Sequence, residues 1–262
     1  MDVKLSCQTV GFRYNGRPVL SDISFEVTAG TFCALLGRNG SGKTTLLHCL
    51  NALLTPCAGR ILVNQTDIRR LSRQAVARQV SLVPQEHVDI FPFTVREVVV
   101  MGRAPYLGLT ASPGPADYAM AEEALDRLNA GHLADCNFNR ISGGERQIAL
   151  LAGALVQSSD LVLLDEPTNH LDFHNQYRLL SIIKEICRGR GTSVVAAMHD
   201  PNLAMLFADQ IIMLQNGRLI VAGETRQVMT KANMDRLYEA ETVAVDVSPR
   251  RQVFLPKAIL DE

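Results

Sequence analysis

The segment Gly37-Arg38-Asn39-Gly40-Ser41-Gly42-Lys43-Thr44-Thr45 fits G-x-x-x-x-G-K-[ST], the pattern of the phosphate-binding P-loop, at every fixed position. Its glycines allow several backbone N–H groups to turn toward one point, where a following helix would present its positive end. Lys43 adds a positive charge, and Thr44 adds a hydroxyl that can bind Mg²⁺. The segment therefore predicts a nucleotide site built from Gly37 to Thr45. The alternative is a glycine-rich turn that carries a lysine by chance.

The sequence around the loop has the alternation that a nucleotide-binding core requires. Residues 43–54 place leucines at helical spacing directly after the loop. Apolar runs typical of strands occur at residues 3–9, 23–27, 31–36, 161–164 and 193–197. The run at 31–36 leads straight into the glycine loop, so the strand-loop-helix order is complete. The predicted fold is an α/β P-loop NTPase core with a mostly parallel sheet and an N-terminal antiparallel β flap.

The length predicts one domain with an insertion. A chain of 262 residues can bury one large core but is short for two enzymatic domains. We expect a single domain, residues 1–262, whose catalytic core comprises residues 1–86 and 156–223. Residues 87–155 are expected to form an inserted helical subdomain, and residues 224–262 a C-terminal extension.

Composition limits the partners. Lys and Arg number 26 against 27 Asp and Glu, so no nucleic-acid partner is expected. No apolar run approaches the roughly 18 residues that span a bilayer, and the first residues lack the apolar centre of a signal peptide. The six cysteines show no C-x-x-C spacing and are expected to be reduced and buried. We expect a cytoplasmic protein that serves a membrane only through another chain.

A second motif decides which reaction the loop supports. Leu161 to Pro167 is an apolar strand that ends in two acidic residues. The first, Asp165, is the candidate Mg²⁺ ligand. Glu166 follows it and can orient or deprotonate an attacking water, which indicates hydrolysis rather than transfer to a bound acceptor. The alternative is an ordinary Asp-Glu pair at a strand end.

A third motif predicts a second anion site. Ile141 to Gln147 contains a capping box in which Ser142 begins a helix and Glu145 reaches back to it. The Ser142 hydroxyl and the N–H groups of Gly143 and Gly144 would face an anion at that helix N-terminus. The two anion sites can share one phosphate only if a second copy of the chain supplies one of them.

The order GRNGSGKTT, VPQEH, ISGGERQ, LVLLDEP, NHLD and MHD resembles the ATP-binding subunit of an ABC transporter over nearly the whole chain. The resemblance implies that ATP and Mg²⁺ are the cofactors, with Lys43, Glu166 and His199 as catalytic residues. It also implies that Tyr14 stacks on adenine. Thr44, Gln85 and Asp165 would face the metal. Gln85 would also sense the permease.

The same resemblance implies an ATP-sandwich dimer. Ser142, Gly143, Gly144 and Glu145 would close over ATP bound to the partner subunit, Asp172 would lie at the dimer contact, and His199 would contact the γ-phosphate. The sequence departs from the family pattern at Arg38, Ile141, Glu145 and His170. Glu145 and His170 affect the expected geometry of the dimer interface. A zinc site at His170 and His174 is disfavoured because the Glu of H-E-x-x-H is absent.

Residues 91–106 are similar to the corresponding segment of importer ATPases for iron chelates, haem and cobalamin. Related molybdate and tungstate importers share much of it. The resemblance implies uptake, with a permease contacted by about residues 85–106, a separate substrate-binding protein, and a peripheral location at the cytoplasmic face of the cell membrane. The alternatives are a molybdate or tungstate importer ATPase and, outside transport, another P-loop ATPase or a kinase.

Overall fold

The structure, a computed structural model, describes residues 2–85, 92–108, 110–169, 171–248 and 251–259. The strands in this part of the chain are β1 (Val3–Tyr14), β2 (Arg17–Thr28), β3 (Phe32–Leu36), β4 (Ala58–Val63), β5 (Thr66–Asp67), β6 (Val80–Val83), β7 (Leu161–Asp165), β8 (Ser193–Met198), β9 (Gln210–Gln215), β10 (Arg218–Glu224), β11 (Thr242–Ser248) and β12 (Arg251–Pro256). The α-helices are α1 (Lys43–Leu50), α2 (Arg73–Gln79), α3 (Val95–Val100), α4 (Pro115–Arg127), α5 (Gly143–Val156), α6 (Phe173–Arg190), α7 (Pro201–Phe207), α8 (Thr225–Val228) and α9 (Lys231–Tyr238).

The strand that leads into the glycine loop lies inside a six-stranded sheet. The order is β10-β9-β3-β8-β7-β6, and only the β9–β10 pair is antiparallel among these strands. Every residue of β3, β7 and β8 is buried, as expected for strands covered on both faces. Because β3, β6, β7 and β8 run parallel, the loops that follow them meet at one edge of the sheet. The predicted fold class is confirmed.

The N-terminal flap is also confirmed, with longer strands than predicted. β1 and β2 form an antiparallel hairpin whose turn is Asn15-Gly16, and β4 and β5 complete a four-stranded sheet. The strands were predicted at residues 3–9 and 23–27, but they extend to the turn. Register shifts between β1 and β2 interrupt the alternation of buried and exposed residues that the prediction relied on.

Helix α1 lies between the two sheets. Its residues Leu46, Leu47 and Leu50 are fully buried and belong to the same cluster as Leu5 of β1 and Ile23 of β2. The helix was predicted over residues 43–54 but ends at Leu50. Beyond the helix end, Leu54 still packs against this cluster, but Leu53, the last leucine of the predicted pattern, is exposed.

Helices α3, α4 and α5 pack against one another and form part of a second buried cluster. The approach between this region and the 3-10 turn at Met101–Tyr106 is close, since a Cβ on Gly102 would lie 2.1 Å from the Gly153 carbonyl oxygen. The boundaries proposed for the inserted subdomain remain predictions, and residue 87, where it would begin, lies outside the described residues.

Two compositional expectations can be compared with the structure. All six cysteines are free, but only four are buried, since Cys57 and Cys136 are exposed. Among the helices that the structure describes, none has the length and apolar character needed to cross a membrane. Within the described residues, no group of three or more His, Cys, Asp or Glu side chains is placed to hold a metal ion. His170 of the disfavoured zinc site lies outside these residues.

Candidate functional site

The glycine loop is shaped to expose the beginning of α1. Gly42 occupies the N-cap position with φ of 102°, which favours glycine, and no side chain caps the helix. A Cβ on Gly37 would lie 2.4 Å from the Ser41 hydroxyl oxygen, so the loop closes only around glycine there. The N–H groups of the first turn therefore face outward without a capping side chain, which is the arrangement that binds phosphate.

Lys43 is folded back over the loop. Its ammonium group donates to the carbonyl oxygens of Gly37 at 2.9 Å and Arg38 at 3.3 Å, and lies 3.9 Å from Oε1 of Glu166. Burial lowers the pKa of Lys43, while the carboxylates of Glu166 and Asp165 act in the opposite direction. The lysine is therefore a buried cation between the loop and the two acids.

Asp165, the last residue of β7, has an unused acceptor. Its side chain is buried, and its Oδ1 has no hydrogen-bond partner among the residues that the structure describes. Burial raises the pKa of Asp165, and a hydrogen bond with the Thr44 side chain partly counters the effect. An orphaned carboxylate oxygen beside a threonine hydroxyl fits a hard cation such as Mg²⁺.

Glu166 is the point where several loops converge. Its Oε2 accepts hydrogen bonds from the side-chain amides of Gln85 at 2.7 Å and Asn169 at 3.3 Å, and its Oε1 contacts Nε2 of His199. Its backbone has φ of 51°, a left-handed conformation that a non-glycine residue rarely adopts, and its N–H donates to the Ala197 carbonyl of β8. Strain of this kind is frequent at functional sites.

These groups surround a cavity of about 800 Å³. Its lining contains predicted residues from the loop and from the strand ends: Asn39, Gly40, Gly42, Lys43, Thr44, Thr45, Gln85, Glu166 and His199. The other predicted site residues are outside this lining: Tyr14, Gly37, Arg38, Ser41, Ser142, Gly143, Gly144, Glu145 and Asp165. The structure therefore brings the loop, the second acid, Gln85 and His199 together in one cavity.

Two residues of the lining were missed by sequence reasoning. Asn169 is placed by a turn in which its N–H donates to the Glu166 carbonyl, so the spacing of three residues was an available signal. Val19 reaches the cavity from β2, and the Gly217 backbone lies against it, since a Cβ on Gly217 would be 2.0 Å from the Val19 carbonyl oxygen. No local pattern could reveal that contact.

The Ser142 segment forms the predicted capping box at the start of α5. The Ser142 hydroxyl accepts from the Glu145 N–H at 3.4 Å, and Oε2 of Glu145 accepts from the Ser142 N–H at 2.8 Å. The Ser142 hydroxyl also donates to Oε2 of Glu145 at 2.7 Å, and this bond, together with the one from the Ser142 N–H, lowers the pKa of Glu145. A Cβ on Gly143 would meet nothing within 4 Å, so this helix N-terminus is open to its surroundings. It lies outside the lining of the cavity around Lys43.

The remaining predicted residues have local partners. Tyr14 is 46% exposed and packs edge-on against Phe12, with ring centroids 4.8 Å apart. The Arg38 side chain pairs with Glu239 instead of lining the cavity. Asp172 caps α6 by accepting from the Asn175 N–H. The roles assigned to these three residues in nucleotide binding or dimer contact remain predictions.

Comparison with known proteins gives a consistent family. Residues 20–169, more than half of the chain, match the family model described as ABC transporter. The cobalamin import ATP-binding protein BtuD of Halobacterium salinarum is 38% identical over 89% of this chain, which spans 58% of that relative's length. The molybdate import ATP-binding protein MolC of Haemophilus influenzae is 35% identical, over 91% of this chain and 89% of its own.

A solved structure agrees. The inward-facing conformation of a protein described as a metal-chelate type ABC transporter superposes with a TM-score of 0.86 at 32% identity, covering 97% of both chains. Residues 20–169, which match the family model, contain the glycine loop, the Ser142 segment and the two acidic residues Asp165 and Glu166. The chain therefore belongs to the ABC transporter family.

Proposed function

We propose that this chain is the ATP-binding and ATP-hydrolysing subunit that energises a membrane permease for uptake of a metal chelate of the iron-siderophore, haem or cobalamin type. The observation that carries the ATPase assignment is the convergence on Glu166. Gln85, Asn169, His199 and Lys43 all reach its carboxylate within one cavity at the end of the sheet. A carboxylate so placed at the mouth of a phosphate loop is suited to activate a water.

The binding roles follow from the residues with unused groups. The backbone N–H groups of Gly37 to Thr45 and the Lys43 ammonium would bind the phosphates of ATP. Thr44, Asp165 and Gln85 would hold Mg²⁺, which when bound neutralises charge that develops on the phosphates. The buried Ser41 hydroxyl and Asp165 Oδ1, both without partners among the described residues, support this fit.

Glu166 would handle the proton, and Gln85 and His199 contact its carboxylate. Oε1 of Glu166 would accept a proton from the attacking water, while Gln85 fixes the other oxygen of the same carboxylate. His199 contacts that Oε1 and would contact the γ-phosphate by the same Nε2. Hydrolysis is favoured over transfer to an acceptor because the carboxylate next to the cavity can serve water directly.

A second copy of the chain completes the proposed site. The Ser142 helix N-terminus is open, yet it lies away from the cavity of its own chain. In a sandwich of two copies, Ser142, Gly143, Gly144 and Glu145 of one copy would face the phosphate loop of the other. Tyr14 would stack on adenine, and Asp172 would lie at the contact between copies.

The transport role rests on the relatives. A permease contacted through about residues 85–106, a separate substrate-binding protein and a peripheral position at the cytoplasmic face of the membrane are all parts of the proposal. Residues 86–91 of the contact region lie outside the described residues. We assign the catalytic core to residues 1–86 and 156–223, the helical subdomain to 87–155 and the C-terminal extension to 224–262.

A molybdate or tungstate importer is the second candidate, because one relative at 35% identity is named for molybdate import. The metal-chelate assignment is favoured by the structural likeness over 97% of both chains. The two candidates share the same ATPase chemistry and differ in the cargo of the permease. Uptake of ferric chelates, haem, cobalamin and molybdate into vesicles containing the chain with its permease distinguishes them.

The ATPase assignment is tested by Glu166→Gln. The amide cannot accept the proton, so steady-state ATP hydrolysis should fall by about a thousandfold or more, while ATP binding persists and an ATP-bound dimer accumulates. Glu185→Gln, an exposed glutamate on α6, is the matched control and should hydrolyse ATP like the unchanged protein. Unimpaired hydrolysis in Glu166→Gln would remove Glu166 from its catalytic role.

A further inference from the structure

The end of α9 contacts both loops that form the candidate site. The hydroxyl of Tyr238, the last residue of the helix, donates to the His199 carbonyl oxygen at 3.0 Å. The next residue, Glu239, pairs through Oε2 with the Arg38 guanidinium of the phosphate loop and accepts from the Gln215 side chain at Oε1. Tyr238 and Glu239 are thus adjacent in sequence and reach the His199 loop and the glycine loop respectively.

The two contacts differ in what they can do. The Arg38–Glu239 pair is about half exposed on both sides, so water and salt weaken it. The Tyr238 side chain is partly buried, and this burial raises the pKa of its hydroxyl. A partly buried hydroxyl and a backbone carbonyl each lose free energy if they lack a partner, so this bond fixes both groups. The Tyr238 bond is the stronger constraint.

Strand β12 contacts the helix that follows His199 at a second point. Asn202 lies three residues after His199, in the first turn of α7. Its side-chain amide donates to the Phe254 carbonyl at 3.1 Å, and its side-chain oxygen accepts from the Phe254 N–H at 2.8 Å. These two hydrogen bonds tie the start of α7 to β12. The segment from His199 to Asn202 is therefore held at two anchors, Tyr238 and Phe254, which both lie later in the chain.

We propose that Tyr238 is a positioning residue for His199, and that α9 and β12 form a structural part of the catalytic site through Tyr238 and Phe254. The orientation of the His199 peptide sets where its imidazole points. That imidazole must meet Glu166 Oε1 on one side and the cavity on the other. The inference rests on the proposed ATPase function and adds to it a role for the C-terminal segment.

The test is a pair of single substitutions that each remove one hydroxyl bonded to a backbone carbonyl. Tyr238→Phe deletes the bond to His199 and keeps the ring. Thr225→Val deletes an equivalent bond, 2.8 Å long, to the Ala208 carbonyl at the far end of α7. For Tyr238→Phe we expect kcat for ATP to fall about five- to tenfold with KM within about twofold, as for loss of one hydrogen bond felt in the transition state. Thr225→Val should keep kcat.

A second pair tests the other anchor. Asn202→Ala removes the link to Phe254, whereas Gln210→Ala removes a comparable long-range hydrogen bond, from the Thr28 N–H to the Gln210 side chain, at the start of β9 and away from His199. We expect a lower kcat only for Asn202→Ala. Both pairs are assayed below the thermal unfolding midpoint of the less stable variant, and ATP binding is measured in each.

The outcomes separate this inference from the proposed function. If the unchanged chain hydrolyses ATP but both Tyr238→Phe and Asn202→Ala match their controls in kcat, the positioning role is wrong and the ATPase assignment stands. If the unchanged chain binds no ATP, the proposed function itself fails. A selective loss of kcat in the two test variants, with ATP binding retained, supports the positioning role.

Discussion

The Gln85 side-chain amide donates a 2.7 Å hydrogen bond to Oε2 of Glu166, which joins the second residue after β6 to the first residue after β7. The bond crosses between neighbouring parallel strands and fixes one oxygen of the candidate catalytic carboxylate. The other oxygen is left to His199 and Lys43. Any displacement of Gln85 therefore changes the orientation of Glu166, which would link the position of Gln85 to the proposed hydrolysis.

Gln85→Ala should test this link. Without the amide, the Glu166 carboxylate can rotate, so we expect kcat for ATP to fall about tenfold while KM changes by less than about threefold, a loss equivalent to one charge-assisted hydrogen bond. Gln227→Ala removes a Gln-to-Glu hydrogen bond to Glu224 outside the site and is the control. Steady-state ATPase kinetics measure both. Equal kcat in Gln85→Ala and the control would contradict the link.

Asp165→Asn should stabilise the protein while abolishing its activity. Asp165 is a buried carboxylate with an unpartnered oxygen, so its charge costs folding free energy. Replacement by the neutral amide should raise the free energy of unfolding by about 1 kcal/mol and the melting temperature by a few degrees. Hydrolysis should be lost because the Mg²⁺ ligand is gone. The same variant should show no extra thermal stabilisation when Mg²⁺ is added to ATP, whereas the unchanged chain should.

The difference in melting temperature between Asp165→Asn and the unchanged protein should depend on pH in a defined direction. The pKa of Asp165 is raised above its value of 3.8 in an unfolded chain, so the folded protein holds its proton more strongly. The cost of the charged carboxylate is therefore present in full above the folded pKa and disappears as the pH falls toward 3.8. The melting temperatures of the two proteins should converge on acidification. A gap that widens at low pH would argue against burial as the cause.

Ser142→Ala should separate the structural and functional roles of the second anion site. The substitution removes the cap of α5 and should cost about 1 kcal/mol of stability. Ser72→Ala removes a comparable cap from α2, where the Ser72 hydroxyl accepts from the Ala75 N–H. Both variants should unfold at lower temperature, but only Ser142→Ala should also hydrolyse ATP more slowly.

Ser142→Arg extends the same test to the dimer. A bulky cation at the open helix N-terminus would occupy the space meant for the phosphates of the second copy, so ATP should no longer drive dimer formation. Size-exclusion chromatography with ATP in a Glu166→Gln background measures this. ATP-dependent dimers in the double variant would show that the Ser142 segment does not face the other copy's nucleotide.

The parts of the site that sequence reasoning could find are those written in short local patterns. Gly37 to Thr45, the Asp165-Glu166 pair and the Ser142 capping box each need only a few consecutive residues. The resemblance implied that Gln85 faces the metal and that His199 contacts the γ-phosphate, each after a strand of a parallel sheet, although their contacts with Glu166 were not predicted. Parallel strands bring their carboxyl ends to one edge, so the positions of the strands carried the information.

Other parts could not be predicted because they depend on contacts between distant segments. Tyr238 meets a backbone carbonyl 39 residues earlier, and a carbonyl leaves no trace in the sequence. Arg38 was expected to bind nucleotide, but its partner is Glu239, 201 positions away. The lengths of β1 and β2 were underestimated because bulges break the alternation of buried residues. Such features become visible only when the fold is known.

Asp235 should link the C-terminal segment to acid stability. Its Oδ1 accepts from the Thr242 N–H at 2.6 Å and from the Thr242 hydroxyl at 2.7 Å, which ties α9 to β11, and its Oδ2 pairs with Lys231. The Lys231 ammonium and these bonds lower the pKa of Asp235 to about 2. A lowered pKa means that the stabilisation is present above the unfolded value of 3.8 and is lost as the pH falls from there toward about 2.

Asp235→Asn should therefore lower the melting temperature at pH 7, and the deficit should shrink only below about pH 4, where the carboxyl group of the unfolded chain takes up its proton. Asp246→Asn is the control, because the bond that Asp246 accepts within the described residues, from Gln252, is exposed and lies within one pair of strands. Since α9 carries Tyr238, Asp235→Asn should also reduce kcat at pH 7 in proportion to the loosening of the segment. A melting deficit without any change in kcat would mean that α9 remains docked on the His199 loop without its tie to β11.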